Sequence, residues 1–433
     1  MREQQLLDRY TPPAAGPLKK VSLPPYEQTA LDNGLPVYLL PYGTAEVVQL
    51  QMVYRAGTGY QPRAGLASYT ARMMQEGTRR HSSLEIAQKL DEYGAWLGND
   101  TTEQALAMTL TTLSSHLEKV LPLFQEVLES PAFPEREFDL MKARNLQKLQ
   151  VQEMKTSFQA RRYFGHYLFG KNHPYGMHLG REELMTLDLP QIIQYYQQYV
   201  HAGNAALLVV GNFEEAPLMQ QLNQLFGQQP MPDTPAPVSQ VLRAELVSQN
   251  GRRYHQLPGM QATLRLGHLG FRREHPDYYP MQVVNTILGG YFGSRLMKNI
   301  REEKGYTYGI YSAWVSLKYH GFLVVQTDVG NEYIEATISE VKKEMQALRQ
   351  QPVPPDELEL VKNYLLGKSI SQRETPFQMA EILRASVMNG ISFEEMDRKF
   401  EIFQQISAED ILALSQKYLQ PDSLLEVVVG EMK

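Results

Sequence analysis

Two stretches of this chain, 219 residues apart, repeat one pattern without a gap. LPQIIQYYQQYVHAGNAALLVVGN ends near the middle of the sequence, and AEDILALSQKYLQPDSLLEVVVGE ends at its close. Tyr199 corresponds to Tyr418, and Gly211 to Gly430. In each copy an amphipathic helical pattern stops at the Tyr. A short polar link and an apolar Val- and Leu-rich run follow, and the run stops at the Gly. Such a run reads as a strand buried on both faces. A spacing close to half the 433 residues points to duplication of a whole domain. A chain of this length also exceeds what one hydrophobic core holds. The halves meet at GQQPMPDTPAPVSQ, where Pro230, Pro232, Pro235 and Pro237 crowd together. Closely spaced prolines suit an extended linker and fit neither helix nor central strand. The expected domains are therefore 1–229 and 241–433, joined by 230–240.

Within each half, helical and strand patterns mix. Val47 to Tyr54 alternates, with Val48, Leu50, Met52 and Tyr54 on one side and Gln49 and Gln51 on the other, which predicts a half-buried strand. A helix is expected from about Ala64 to Gln75. Ser82 and Glu85 form a capping box that opens another, which Gly94 can close. Leu106 to Leu113 reads as a strand, and long helical patterns run from His116 to about Leu168. Gln261–Leu269, Tyr306–Trp314 and Gly321–Asp328 read as strands of the second half. The fold class expected is α+β: two homologous domains, each a mixed, mainly antiparallel sheet covered by helices on one face.

Composition narrows the function. Apolar residues make up 43% and charged residues 21%, as in an ordinary globular protein. The net charge of −6 and the absence of a basic domain argue against nucleic acid. With no cysteine, disulfides, thiol nucleophiles and thiolate metal sites are excluded. The opening MREQQLLDRYTPPAAGPLKK has no apolar core of a secretion signal, and no run is long enough to span a bilayer. The expected location is the cytoplasm, or the periplasm if the sequence is a trimmed form.

Ala56 to Thr78, AGTGYQPRAGLASYTARMMQEGT, resembles the zinc helix of the pitrilysin/insulinase metallopeptidases, the inverted zincins. LDNGLPVYLL before it and HPYG and VVGN after it extend the likeness. The family motif is H-x-x-E-H: two His four apart share a metal on one helical face, and the Glu activates the bound water. The matching positions here are Ser68, Tyr69, Thr70, Ala71 and Arg72. Ser68 and Arg72 stand for the two His, and Ala71 for the Glu. A cation at position 72 opposes a divalent metal. The family's third ligand, a Glu, would fall near Ala143 to Lys148, where ARNLQK has no acidic residue; Glu153 is the nearest downstream. No zinc is expected in this chain. No two His stand four apart, and His173 and His178, flanking the turn in HPYGMH, read as structural.

Asn285 to Trp314, NTILGGYFGSRLMKNIREEKGYTYGIYSAW, resembles the signature of the family's C-terminal half. The resemblance implies that Arg301 and Tyr308, seven apart, bind substrate and stabilise the reacting carbonyl in an opposing zinc site. Both side chains donate hydrogen bonds at neutral pH. Gly289, Gly290 and Gly293 form a turn without a phosphate-loop register, and Tyr291 and Phe292 read as packing residues. The function implied is a non-catalytic subunit. It is inactive alone and pairs with an H-x-x-E-H homologue that carries the zinc, as in the mitochondrial processing peptidase and bacterial two-subunit relatives. Peptide or unfolded polypeptide is the implied substrate. The alternatives are a structural or assembly subunit, as in the respiratory cytochrome complex, and a peptide-binding homodimer.

Overall fold

The apolar runs of the two halves form two sheets in the computed structural model, which describes residues 21–228, 231, 238–242 and 246–431. The first comprises β1 (Glu27–Ala30), β2 (Pro36–Pro41), β3 (Val47–Tyr54), β4 (Trp96–Thr101), β5 (Leu106–Leu113) and β6 (Ala205–Gly211), in the order β1-β2-β6-β3-β5-β4. The second comprises β7 (Gly251–Gln256), β8 (Gln261–Gly270), β9 (Thr307–Ser316), β10 (Gly321–Gly330) and β11 (Leu425–Gly430), in the order β7-β11-β8-β10-β9. Without β1 the two orders are the same. In each sheet one pair is parallel, β2–β6 and β7–β11, and the remaining pairs are antiparallel. The fold is thus the mixed, mainly antiparallel α+β arrangement read from the sequence. Residues 1–20 and most of the proline-rich segment 230–240 lie outside the described residues.

The repeat extends to the helix that precedes the central strand. Helices Leu189–Tyr199 and Ala408–Tyr418 each start at a capping box, on Asp188 and on Ser407. Each is followed by one 3-10 turn and then the central strand, β6 or β11.

Both faces of each sheet are buried, and by different means. Helices of the same half cover the inner faces, through Leu50, Leu110 and Val209 in the first half and Leu264, Leu323 and Val428 in the second. The opposite faces are closed by helices lent across the molecule. Pro376–Asn389, from the second half, lays Met379, Ala380 and Leu383 on Leu40, Val53, Leu208 and Val210. Thr156–Phe169, from the first half, lays Ala160, Phe164 and Leu168 on Val324, Leu425, Val427 and Val429. The two lent helices occupy equivalent places in the repeat. Both are 14 residues long, and positive-φ glycines, Gly170 and Gly390, end them.

This exchange corrects the expectation for β3. Gln49 and Gln51 are 8% and 2% exposed, so the strand is buried on both sides rather than half-buried. The reason is the lent helix, whose Glu381 accepts from Gln51 at 3.0 Å, while Gln49 donates to the Thr111 hydroxyl of neighbouring β5 at 3.1 Å. The same helix places Arg384 3.0 Å from Asp100 on β4.

His173 seals the other junction. It is 1% exposed, lies flat on Phe169 and meets His320 of the second half with its edge, and its Nδ1 accepts the Tyr175 N–H at 3.1 Å. Burial, helped by the neighbouring His320, pulls its pKa down to about 4.

Leu383→Ala is expected to cost about 2–5 kcal/mol and Phe164→Ala about 3–5 kcal/mol. Because each helix closes the other half's sheet, both variants should keep a single unfolding transition in urea, shifted to lower concentration. Acid should act at the same junction. The unfolded chain protonates His173 near the ordinary pKa of about 6.5, whereas the folded chain resists until about 4, so the folded state binds fewer protons in that window and stability falls as pH drops through it. Urea midpoints at about pH 7.5 and pH 5 measure this, and His173→Asn should reduce the difference, leaving the part that His166 and His178, also held down to about 4, contribute.

Candidate functional site

The helix that resembles the zinc helix runs Leu66–Met73. Gly65 precedes it at φ 98°, a conformation that favours glycine. Tyr69, Ala71 and Met73 are buried, while Ser68 is half-buried and Arg72 exposed. The Ser68 hydroxyl donates to the Gly65 carbonyl at 3.3 Å. Helix Glu135–Glu153 passes alongside, and Asn145 donates to the Tyr69 hydroxyl at 2.7 Å. The stretch expected to align with the third ligand therefore does face this helix.

What faces it is cationic. A recess of about 200 Å³ between the two helices is lined by Arg72, Arg144, Lys148 and Asn145, with Glu76 as its one carboxylate. Burial pushes the Glu76 carboxyl above its ordinary pKa, and Glu137 adds to the rise. Three cations, a hydroxyl and a methyl group do not make a divalent-metal site. Among the described residues, no three His, Asp or Glu side chains form a metal-holding group.

Arg301 and Tyr308 meet at the far edge of the second sheet. Helix Met297–Glu303 carries Arg301 in its last turn, Gly305 exits at φ 67°, and β9 begins at Thr307. The β9–β10 register slips between Thr307↔Val329 and Ile310↔Thr327. Tyr308 and Gly309 therefore face the single residue Asp328, a bulge that re-aims the tyrosine. The Thr307 hydroxyl lies 2.7 Å from the Asp328 carbonyl and accepts the Gly309 N–H at 3.1 Å, and the Thr327 hydroxyl lies 3.0 Å from the Gly309 carbonyl. Tyr308 ends up 92% exposed. The Arg301 guanidinium sits 4.5 Å from the centre of the Phe292 ring and 5.6 Å from that of Tyr308. Phe292 is thus not the packing residue its sequence setting suggested: it is 66% exposed and holds one face of Arg301. Tyr291 does pack, against Tyr364, and Gly289 lets its backbone approach Ser312 too closely for a side chain.

Between the halves lies a groove of about 870 Å³. Ser68 and Thr101 line it from the first half, Tyr311, Val315 and Phe322 from the second. It thus brings the helix that resembles the zinc helix and the β9 strand to one space.

The family profile described as "Insulinase (Peptidase family M16)" matches residues 38–176, and the one described as "Peptidase M16 inactive domain" matches residues 186–365. The chain belongs to the M16 peptidase family. Its relatives include the "Uncharacterized zinc protease YmxG" of Bacillus subtilis, 23% identical across 84% of this chain and 88% of that protein. Another is the "Non-peptidase homolog YmxG" of Helicobacter pylori, 23% identical across 78% and 77%. A solved structure described as a peptidase M16 inactive domain from Pseudomonas fluorescens superposes with a TM-score of 0.84, at 24% identity, over 94% of this chain and 98% of that one. The fold is therefore that of M16 proteins. No helix among the described residues is long and apolar enough to cross a membrane.

Within this M16 chain the charge of the recess, and not the two lost His alone, should decide metal binding. Ser68→His with Arg72→His is expected to bind zinc weakly. Adding Lys148→Glu, which supplies a carboxylate from the facing helix, should tighten it about tenfold or more, as read by calorimetric zinc titration. Equal affinity with and without the third change would show that Lys148 does not face the site.

Proposed function

We propose that this chain is a zinc-free M16 subunit that pairs with an H-x-x-E-H homologue and lends Arg301 and Tyr308 to that partner's active site. The observation that carries this reading is the state of the pair. A tyrosine turned 92% outward by a bulge, beside a guanidinium held by two aromatic rings, is aimed at something outside its own half. Among the described residues no carboxylate neutralises Arg301, so its charge is available. A guanidinium and a phenol at that spacing suit a peptide carbonyl and the oxyanion it becomes. The first half points the same way, since Ser68, Ala71 and Arg72 offer neither ligand nor base. Relatives named "Non-peptidase homolog" and "Probable inactive metalloprotease" add support.

In this reading the chain provides binding and electrostatic stabilisation, and the zinc-activated water belongs to the partner. Arg301 orients the substrate backbone, and the Tyr308 hydroxyl donates to the oxygen on which charge develops. Unfolded polypeptide or peptide is the substrate, and the partner is a homologue with an intact motif.

The isolated chain should show no peptidase activity, and activity should appear on mixing with such a homologue. In the mixture, Arg301→Ala or Tyr308→Phe should lower turnover about 100- to 1,000-fold, the usual loss for one transition-state donor, while the subunits still co-elute. Unchanged turnover in both variants would overturn the proposal.

A further inference from the structure

One row of side chains on the second sheet breaks the pattern of its face. The face covered by helix Thr156–Phe169 is apolar along β11, through Val427 and Val429, and at Val324 on β10, while farther along β10 Asp328 is bonded to the Thr263 hydroxyl. Across it runs a polar row. Arg265 on β8 pairs in register with Gln326 on β10, and Gln326 pairs with Tyr311 on β9. Side chains directly opposite on neighbouring strands share a face and lie side by side. A guanidinium, an amide and a phenol are thus set in line toward the sheet edge, and all three line the groove between the halves.

The row is unsatisfied. Neither Arg265 Nε nor Gln326 Oε1 has a hydrogen-bond partner, and among the described residues no carboxylate pairs with Arg265. Arg265 rests on the Phe164 ring at 5.2 Å. Arg161, exposed on the lent helix, also lines the groove and adds to the positive field that, after burial, lowers the Arg265 pKa to about 10. Arg162 lines it too, its Nε also without a partner, and Glu103 is the groove's one carboxylate. Holding uncompensated cations of like sign together in a partly buried site is unfavourable by itself. An anion entering the groove would relieve it.

We infer that the row Arg265–Gln326–Tyr311, with Arg161 above it, is a binding site for the acidic side chain of an extended peptide. A planar guanidinium takes a carboxylate through two parallel N–H bonds. The groove continues past the row to Val315 and Phe322 on one side and reaches Ser68 and Thr101 of the first half on the other. That continuity lets a chain pass through rather than end there, so a side-chain carboxylate is assigned and not a chain terminus. The site extends the peptide-handling reading above, but it needs no partner subunit and fails separately from it: binding to the isolated chain tests the one, turnover of the mixture the other.

The test is fluorescence polarisation with the full chain and three labelled decapeptides. One has a central Glu in an apolar context and blocked ends, one has Gln in its place, and one has Gln with a free C-terminal carboxylate. The Glu peptide should bind about tenfold or more tightly than the blocked Gln peptide, and added salt should weaken it. Arg265→Met should erase the preference for Glu, and Arg161→Gln should reduce it. Because Met removes an unpaired buried charge, thermal melting of Arg265→Met should be unchanged or higher. A merely structural arginine would instead lower the melting temperature and leave the Glu/Gln ratio alone. Equal binding of the Glu and blocked Gln peptides overturns the proposal, as does an unaltered ratio in folded Arg265→Met. Preference for the free C-terminus over Glu overturns the side-chain assignment. If Arg265→Met does not fold, the wild-type Glu/Gln ratio and Arg161→Gln decide.

Discussion

The exchange of two helices holds this molecule together. Each sheet buries its inner face against helices of its own half, but its other face is apolar too and has no cover in that half. Leu208 and Val210 need Leu383, and Val427 and Val429 need Phe164 and Leu168. Fully burying one such aliphatic or aromatic side chain contributes roughly 1.5–3 kcal/mol. With four or more on each side, the lent helices tie the stability of the halves together. They also fix where the halves sit, and so create the groove between them. The Thr156–Phe169 helix covers β11 and parts of β8 and β10, and at its margin Phe322 and Val315, packed against its cluster, line that groove together with Tyr311.

Much of this was legible because it is local and periodic. Val47–Tyr54 and Leu106–Leu113 fold as strands over the limits their alternation predicts, and the Ser82–Glu85 capping box closes as its spacing requires. The matched Tyr199/Tyr418 and Gly211/Gly430 pairs sit at matched points of two sheets with one strand order. What escaped is what depends on distant partners. The short strand β4, WLGNDT, and the polar strand β7, GRRYHQ, lie at sheet edges; β4 has one buried position and β7 none, so neither shows an apolar alternation. Gln49 and Gln51 look solvent-facing until a helix some 330 residues away arrives with Glu381. The groove itself could not be seen from either half alone.

The site divides in the same way. The reading of the zinc motif rests on three letters, Ser68, Ala71 and Arg72, and these residues lie on a helix, Leu66–Met73. The positive recess was only half visible: Arg72 stands at a motif position, but Arg144 and Lys148 gain meaning when their helix turns them toward it. Beside the Gly-rich turn, the sequence suggests packing for Phe292; only the fold shows that it flanks Arg301. Arg265 did leave a signal, a charged residue inside the strand pattern QATLRLGHLG, on the face that a central strand should keep apolar.

These features share one electrostatic logic. The recess beside the degenerate zinc helix is lined by three cations, and the groove near Arg265 by three more. Arg301 stands on the rim of the second sheet, stacked on aromatic rings and without a carboxylate among the described residues. Yet the chain as a whole is acidic, at −6. Positive charge therefore gathers in the recess and the groove, against the sign of the molecule as a whole. Unpaired arginines in partly buried places cost stability. In the groove such an arginine stands in register with Gln326, whose Oε1 also has no partner, an arrangement that an anionic ligand would stabilise.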